Sequence, residues 1–80
     1  MKKIPIQTAA ARFLGSLPVK IVAENADRCE FYIDNELIDI DYEEPFTSNI
    51  HTTRGIHTLE VRAYNNDYVS IDIRDIYSFI

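Results

Sequence analysis

Seven carboxylates stand within the seventeen residues from Glu30 to Phe46: Glu30, Asp34, Glu36, Asp39, Asp41, Glu43 and Glu44. Oxygens gathered so densely could bind Ca²⁺, form an acid/base pair or present a charged patch. Calcium needs roughly six to eight oxygens converging on one point. The alternation of Asp39, Asp41 and Glu43 with Ile38, Ile40 and Tyr42 instead predicts a strand, which spaces the acids about 6–7 Å apart along one face. No EF-hand spacing is present. The run therefore reads as a solvated strand face, with a partner-facing acidic patch as the alternative. Asn65, Asn66 and Asp67 could offer loop oxygens, but a hairpin turn accounts for them.

The other candidates for chemistry are sparse. His51 and His57 could approach one another if their strands pair, yet two imidazoles without a third ligand make a poor zinc site. His57 falls on the same strand face as Leu59 and is expected to be half-buried. Cys29 is the single cysteine. It excludes an internal disulfide, no base stands near it in sequence, and it is expected as a buried small hydrophobe. Ser16, Ser48, Ser70 and Ser78 lie in no nucleophile motif. No catalytic, metal or cofactor residue is assigned. Tyr32 and Tyr64 are expected to point outward, with Leu37 beside Tyr32. Together with the apolar tail residues Tyr77, Phe79 and Ile80, they are the candidate protein contacts.

The elements that must position these residues are short and extended. "LPVKIVAEN" places Val19, Ile21 and Ala23 on one face. "RCEFYI" places Cys29, Phe31 and Ile33 together, and "LIDIDYE" places Ile38, Ile40 and Tyr42 together. A two-residue hairpin loop at Asn35-Glu36 would pair Ile33 with Ile38, Phe31 with Ile40 and Cys29 with Tyr42, bringing both apolar sets to one face. Pro45 ends that hairpin, and Phe46, Ser48 and Ile50 alternate beyond it. "HTLEVRAY" sends Leu59, Val61 and Ala63 inward. "NND" marks a second hairpin, after which Val69, Ile71 and Ile73 are expected inside. Near the N-terminus, Ile4 to Gln7 reads as a short edge segment. Thr8 to Gly15 reads as a helical turn that docks Phe13 and Leu14.

Eighty residues, 46% apolar and 26% charged, with net charge −5, describe a small globular chain with a thin core. The acidic balance and the scattered basic residues disfavour nucleic-acid binding. No stretch is long and apolar enough for a membrane span, and no signal peptide is legible after Met1.

The segment from Cys29 to Asn65 resembles the bacterial and archaeal immunoglobulin-like domains that occur in tandem in secreted and cell-surface proteins. The residues that carry the resemblance are Phe31-Tyr32-Ile33-Asp34, Leu37, Pro45-Phe46 and Gly55-Ile56-His57-Thr58-Leu59-Glu60-Val61-Arg62-Ala63-Tyr64. Asn35 stands where the family usually has Gly. The family's frequent Trp after the Pro-aromatic step is missing, and Ile50 takes that core position. The first strand is replaced by "IPIQTAAARFLG".

The expected fold is an all-β, antiparallel Ig-like sandwich of six to seven short strands, with one helical turn near the N-terminus, over residues 1–80 as a single domain. The expected function is non-catalytic. One reading is an accessory or decoration component of a large assembly such as a virion or surface filament, in contact with a second copy or with particle subunits. The Met start and the lack of a flanking linker favour it. The other is a spacer or adhesion module of a secreted or surface protein. An acidic inhibitor of a basic protein is a third, smaller reading.

Overall fold

Alternation of apolar and polar residues at period two builds this chain almost entirely from strands. The computed structural model describes residues 6–8, 12–21, 23, 26–66 and 68–79. Eight strands run through them: β1 Ile6–Thr8, β2 Arg12–Phe13, β3 Ser16–Ile21, β4 Arg28–Ile33, β5 Glu36–Asp41, β6 Phe46–His51, β7 Gly55–Asn65 and β8 Tyr68–Ser78. Six are full-length, and β1 and β2 are short additions of three and two residues. Two sheets form, in the orders β1-β3-β6 and β2-β8-β7-β4-β5. Every pairing is antiparallel except that of β2 with β8.

The core lies between the sheets. Leu17, Val19, Ile21, Phe46 and Ile50 from the three-stranded sheet meet Cys29, Phe31, Leu59, Val61 and Ile76 from the five-stranded one. Burying Phe31 and Phe46 completely is worth on the order of 2–3 kcal/mol each by area. The inward sets read from sequence on β3, β4, β6 and β7 are the sets found.

The N-terminal segment differs. Thr8 closes β1, Arg12 and Phe13 form β2, and the helical turn expected at 8–15 has no counterpart in the described residues; 9–11 lie outside them, as do the placements of Ile4 and Pro5. Leu14 does not dock on the core but stands 69% exposed. Gly15 turns the chain into β3 at φ +80°, a left-handed conformation that favours glycine.

The β4–β5 hairpin is shifted from its expected register. The loop is Asp34-Asn35, both at positive φ (50° and 69°), and Ile33 pairs with Glu36. Such a pair of positive φ values matches the twist of a two-residue hairpin. The loop sits one residue upstream because the Asp34 carboxylate is anchored elsewhere: Oδ1 accepts the Thr58 N–H at 2.9 Å and Oδ2 binds the His57 ring at 2.6 Å. A bulge between Phe31 and Tyr32 then sets Phe31 opposite Asp39 and Cys29 opposite Asp41.

The consequence inverts the strand. Asp39 and Asp41 share the side of the buried residues Phe31 and Cys29, and Ile40 lies opposite Glu30 on the outer side. Tyr42, expected inside, is 67% exposed, and Ile38 is exposed too. The same inversion occurs on β8. Val69, Ile71 and Ile73, expected inside, lie opposite Tyr64, Arg62 and Glu60 on the outer side. The inner positions of β8 are Ser70, Asp72 and Arg74, until Ile76 and Ser78 enter the core.

A single physical reason covers both strands. Three strands cannot cover five, so the inner side of each outlying strand is left partly in water and tolerates charge. The carboxylates of β5 use that space to tie the sheets together. Ser48 on β6 donates its hydroxyl to Asp39 Oδ2 at 2.6 Å, and the Thr47 N–H donates to Asp41 Oδ2 at 2.9 Å. The β5–β6 turn between them carries a cis Glu44–Pro45 peptide.

Candidate protein-contact face

Register places four strands side by side on the outer surface of the five-stranded sheet. Reading across from β5 to β8, one row is Leu37, Tyr32, Glu60 and Ile73. The next is Ile40, Glu30, Arg62 and Ile71, and a third runs Arg28, Tyr64 and Val69. The pattern is an aromatic and charged ridge on the two central strands, flanked by an aliphatic stripe on each outlying strand. At strand spacing the stripes stand about 14 Å apart.

The ridge is internally bonded. Tyr32 donates its hydroxyl to Glu30 Oε1 at 2.6 Å, and Arg28 Nε donates to Glu30 Oε2 at 3.3 Å. The Arg28 guanidinium lies 4.1 Å from the centre of the Tyr64 ring, and that of Arg62 lies 4.5 Å from the centre of Tyr32. Arg62 Nε also donates to Glu60. These stacks hold long side chains flat, so the ridge is pre-ordered, and its charges largely cancel.

The electrostatics follow from these bonds. Burial pushes the Glu30 carboxyl up, but hydrogen bonds from Tyr32, Arg28 and Tyr64 outweigh it and hold it below the usual carboxylate range. The hydrogen bond to Glu30, with burial second, pushes the Tyr32 phenol up to about 12. The hydrogen bond to Glu60 holds Arg62 still more firmly protonated than usual.

Five of the six residues picked from sequence are described, and the same outer surface carries them all. Tyr32, Leu37 and Tyr64 belong to the rows above. Tyr77 faces outward opposite Ile56 near the far end of β8. Phe79 follows it, the two rings meeting edge to face at 4.9 Å. Ile80 lies outside the described residues. The sequence reading missed Ile40, Ile71 and Ile73, whose outward position depends on two registers that no local signal carries, and the two arginines that order the ridge.

The remaining candidates are dispersed. His51 is on β6 and His57 on β7, in different sheets, so their strands do not pair. Among the described residues no three carboxylate, imidazole or thiol groups gather as a metal site. Cys29 is fully buried; burial above all, then the charges of Asp41 and Glu44, pushes its thiol up to about 12. Such a thiol is a poor nucleophile.

No protein-family model matches this chain, and no curated protein matches it in sequence. Its fold is shared with a solved structure of Clostridium thermocellum CbhA fibronectin(III)-like modules. The identity is 24%, the likeness covers 94% of this chain and 96% of that one, and the TM-score is 0.76. Sheet order, strand pairing and this likeness define the class: an all-β, Ig-like sandwich of fibronectin(III)-like form. No helix among the described residues is long and apolar enough to cross a membrane.

Proposed function

We propose that this chain is a non-catalytic protein-interaction module whose contact surface is the outer face of the five-stranded sheet. One observation carries the reading: Leu37 and Ile40 of β5 and Val69, Ile71 and Ile73 of β8 face outward, while Asp39, Asp41 and Asp72 beside them face inward and Asp75 is the one acid of β8 on the outer side. Leu37 is 45% and Ile73 57% exposed, where a face meant only for water would carry the charges. Aliphatic flanks around a pre-ordered Tyr–Arg ridge match the composition of interface centres, where Tyr and Arg are enriched.

Between the two settings, the spacer or adhesion module of a longer surface protein gains support from the shared fold, because the similar structure is itself described as modules. The virion or filament accessory rests on the sequence alone.

The test is affinity capture from source cells, followed by titration with each purified captured protein. Leu37→Lys is expected to weaken binding at least tenfold. Lys20→Glu, on the opposite outer surface, is expected to leave it unchanged. Binding insensitive to Leu37→Lys, or the absence of any saturable partner, would overturn the reading.

A further inference from the structure

Strand β8 has eleven residues, and among the described residues only β2 pairs with its far edge, at Tyr77 and Ser78. The backbone parity of that edge follows from the ladder. The Asp34 N–H donates to the Thr58 carbonyl, so Thr58, Glu60, Arg62 and Tyr64 bond to β4. Residues 57, 59, 61 and 63 of β7 therefore bond to β8 at positions 76, 74, 72 and 70. The main-chain groups of Val69, Ile71, Ile73 and Asp75 are left facing the edge. The Ile73 N–H agrees: it donates to the Asp72 side chain at 3.0 Å and not to β7.

This edge lacks most of the usual bars to strand addition; the ones it carries are the inward-pointing charges Asp72 and Arg74. It has no proline, no lysine and no register shift along its whole pairing with β7. By contrast, β5 is bulged and tied to β6.

We infer that β8 pairs antiparallel with β8 of a second copy, about a two-fold axis at Ile73. Charge selects the copy and the register. Only odd residues face the edge, so the pairings open to it centre on residue 71, 72, 73 or 74. Centring on Asp72 or Arg74 puts like charges face to face. Centring on Ile71 sets Asp72 opposite Ser70. Centring on Ile73 sets Asp72 opposite Arg74 of the other copy, twice, with Ile73 against its own equivalent. That pairing spans residues 70–76 and stops where β2 begins on each copy. Asp72, which has partners besides Arg74 of its own strand at 3.8 Å, gains a cross-strand arginine, and the Ile73 N–H gains a carbonyl. The two outer faces then join as one ten-stranded surface. The inference stands apart from the proposed face contact, since it uses the edge.

The test is native mass spectrometry with sedimentation over a concentration series. The wild-type chain is expected to dimerise reversibly. Asp72→Arg alone and Arg74→Asp alone are each expected to raise the dimer Kd at least tenfold. An equimolar mixture of these two variants is expected to form the heterodimer, because each supplies the charge that the other lacks. Circular dichroism checks that both single variants are folded. Should either variant fail to fold, Ile73→Lys replaces it and is expected to weaken the dimer. A wild-type monomer throughout the series would overturn the inference. So would a dimer indifferent to these changes but lost in Leu37→Lys, which would point to the face.

Discussion

Cys29 gives the sharpest check on the interior. It is fully buried on β4, opposite Asp41 and Ala63. Two routes could expose it to a thiol reagent. In the native state, the thiol pushed from 9.0 to about 12 holds about a thousandfold less thiolate than an unfolded one at mildly alkaline pH. Steric burial lowers that route further. Through unfolding, a small domain stable by about 5 kcal/mol opens in about one molecule in five thousand. Labelling is therefore expected to run at least about a thousandfold slower in buffer than in guanidinium chloride, and to accelerate with denaturant in step with loss of β-structure. The assay is the absorbance change of an aromatic disulfide reagent, with circular dichroism alongside. Labelling in buffer within tenfold of the denatured rate would refute both the burial of Cys29 and the hairpin register that places Asp41 beside it. Linkage adds a sign. A raised thiol stabilises the fold below pH 9.0, and the contribution is lost as pH rises toward about 12.

Three further outcomes follow from the same geometry. Glu30→Gln is expected to bring the Tyr32 phenol down from about 12 toward its ordinary 10.0, read by ultraviolet titration; an unchanged late-ionising tyrosine would refute the Tyr32–Glu30 bond. The His57 ring lies 2.6 Å from Asp34 through Nδ1 and 2.8 Å from the Thr53 carbonyl through Nε2, so both nitrogens carry hydrogens and the ring is held above its ordinary value, first by Asp34. Its stabilisation is full below the ordinary His range and fades as pH rises through the raised value, while that of Asp34 is lost as pH falls through its lowered one; melting temperature against pH should show both losses, and His57→Gln should remove the alkaline one. Ser48→Ala removes the hydroxyl that bonds Asp39 across the sheets, and is expected to cost about 1 kcal/mol, or about 5 °C in Tm, by calorimetry; no change would show that this tie contributes nothing.

The interior strands were legible in the sequence because they are covered on the inside and wet on the outside. Their alternation therefore names the buried face directly, as with Cys29 and Phe31 or Leu59, Val61 and Ala63. The outlying strands misled for a definite reason. Ile38, Ile40, Ile71 and Ile73 alternate just as cleanly, but alternation fixes which residues share a face and not which face is inward. On β5 the choice was made by Asp34, anchored to His57 and Thr58 more than twenty residues away, and by a bulge without a local signature. On β8 it was made by the partner side: Leu59 and Val61 point inward, which commits Arg74 and Asp72 to the inner side regardless of their polarity. The candidate contacts Tyr32, Leu37, Tyr64, Tyr77 and Phe79 could be named from sequence only one by one. That they share one surface could be seen only once five strands had a common order.

Both outlying strands repeat one small device. In Ile38-Asp39-Ile40 and in Ile71-Asp72-Ile73, the aspartate folds back so that Oδ1 accepts the main-chain N–H of the isoleucine after it, at 2.9 and 3.0 Å. A carboxylate in that position acts as a stopper with a threshold. A stray strand must evict a charged acceptor and leave it without a hydrogen, which costs more than one new backbone bond returns. A strand that brings a guanidinium to the evicted carboxylate meets no such toll. The same two atoms thus guard the sheet against indiscriminate polymerisation and tell a matched strand from any other.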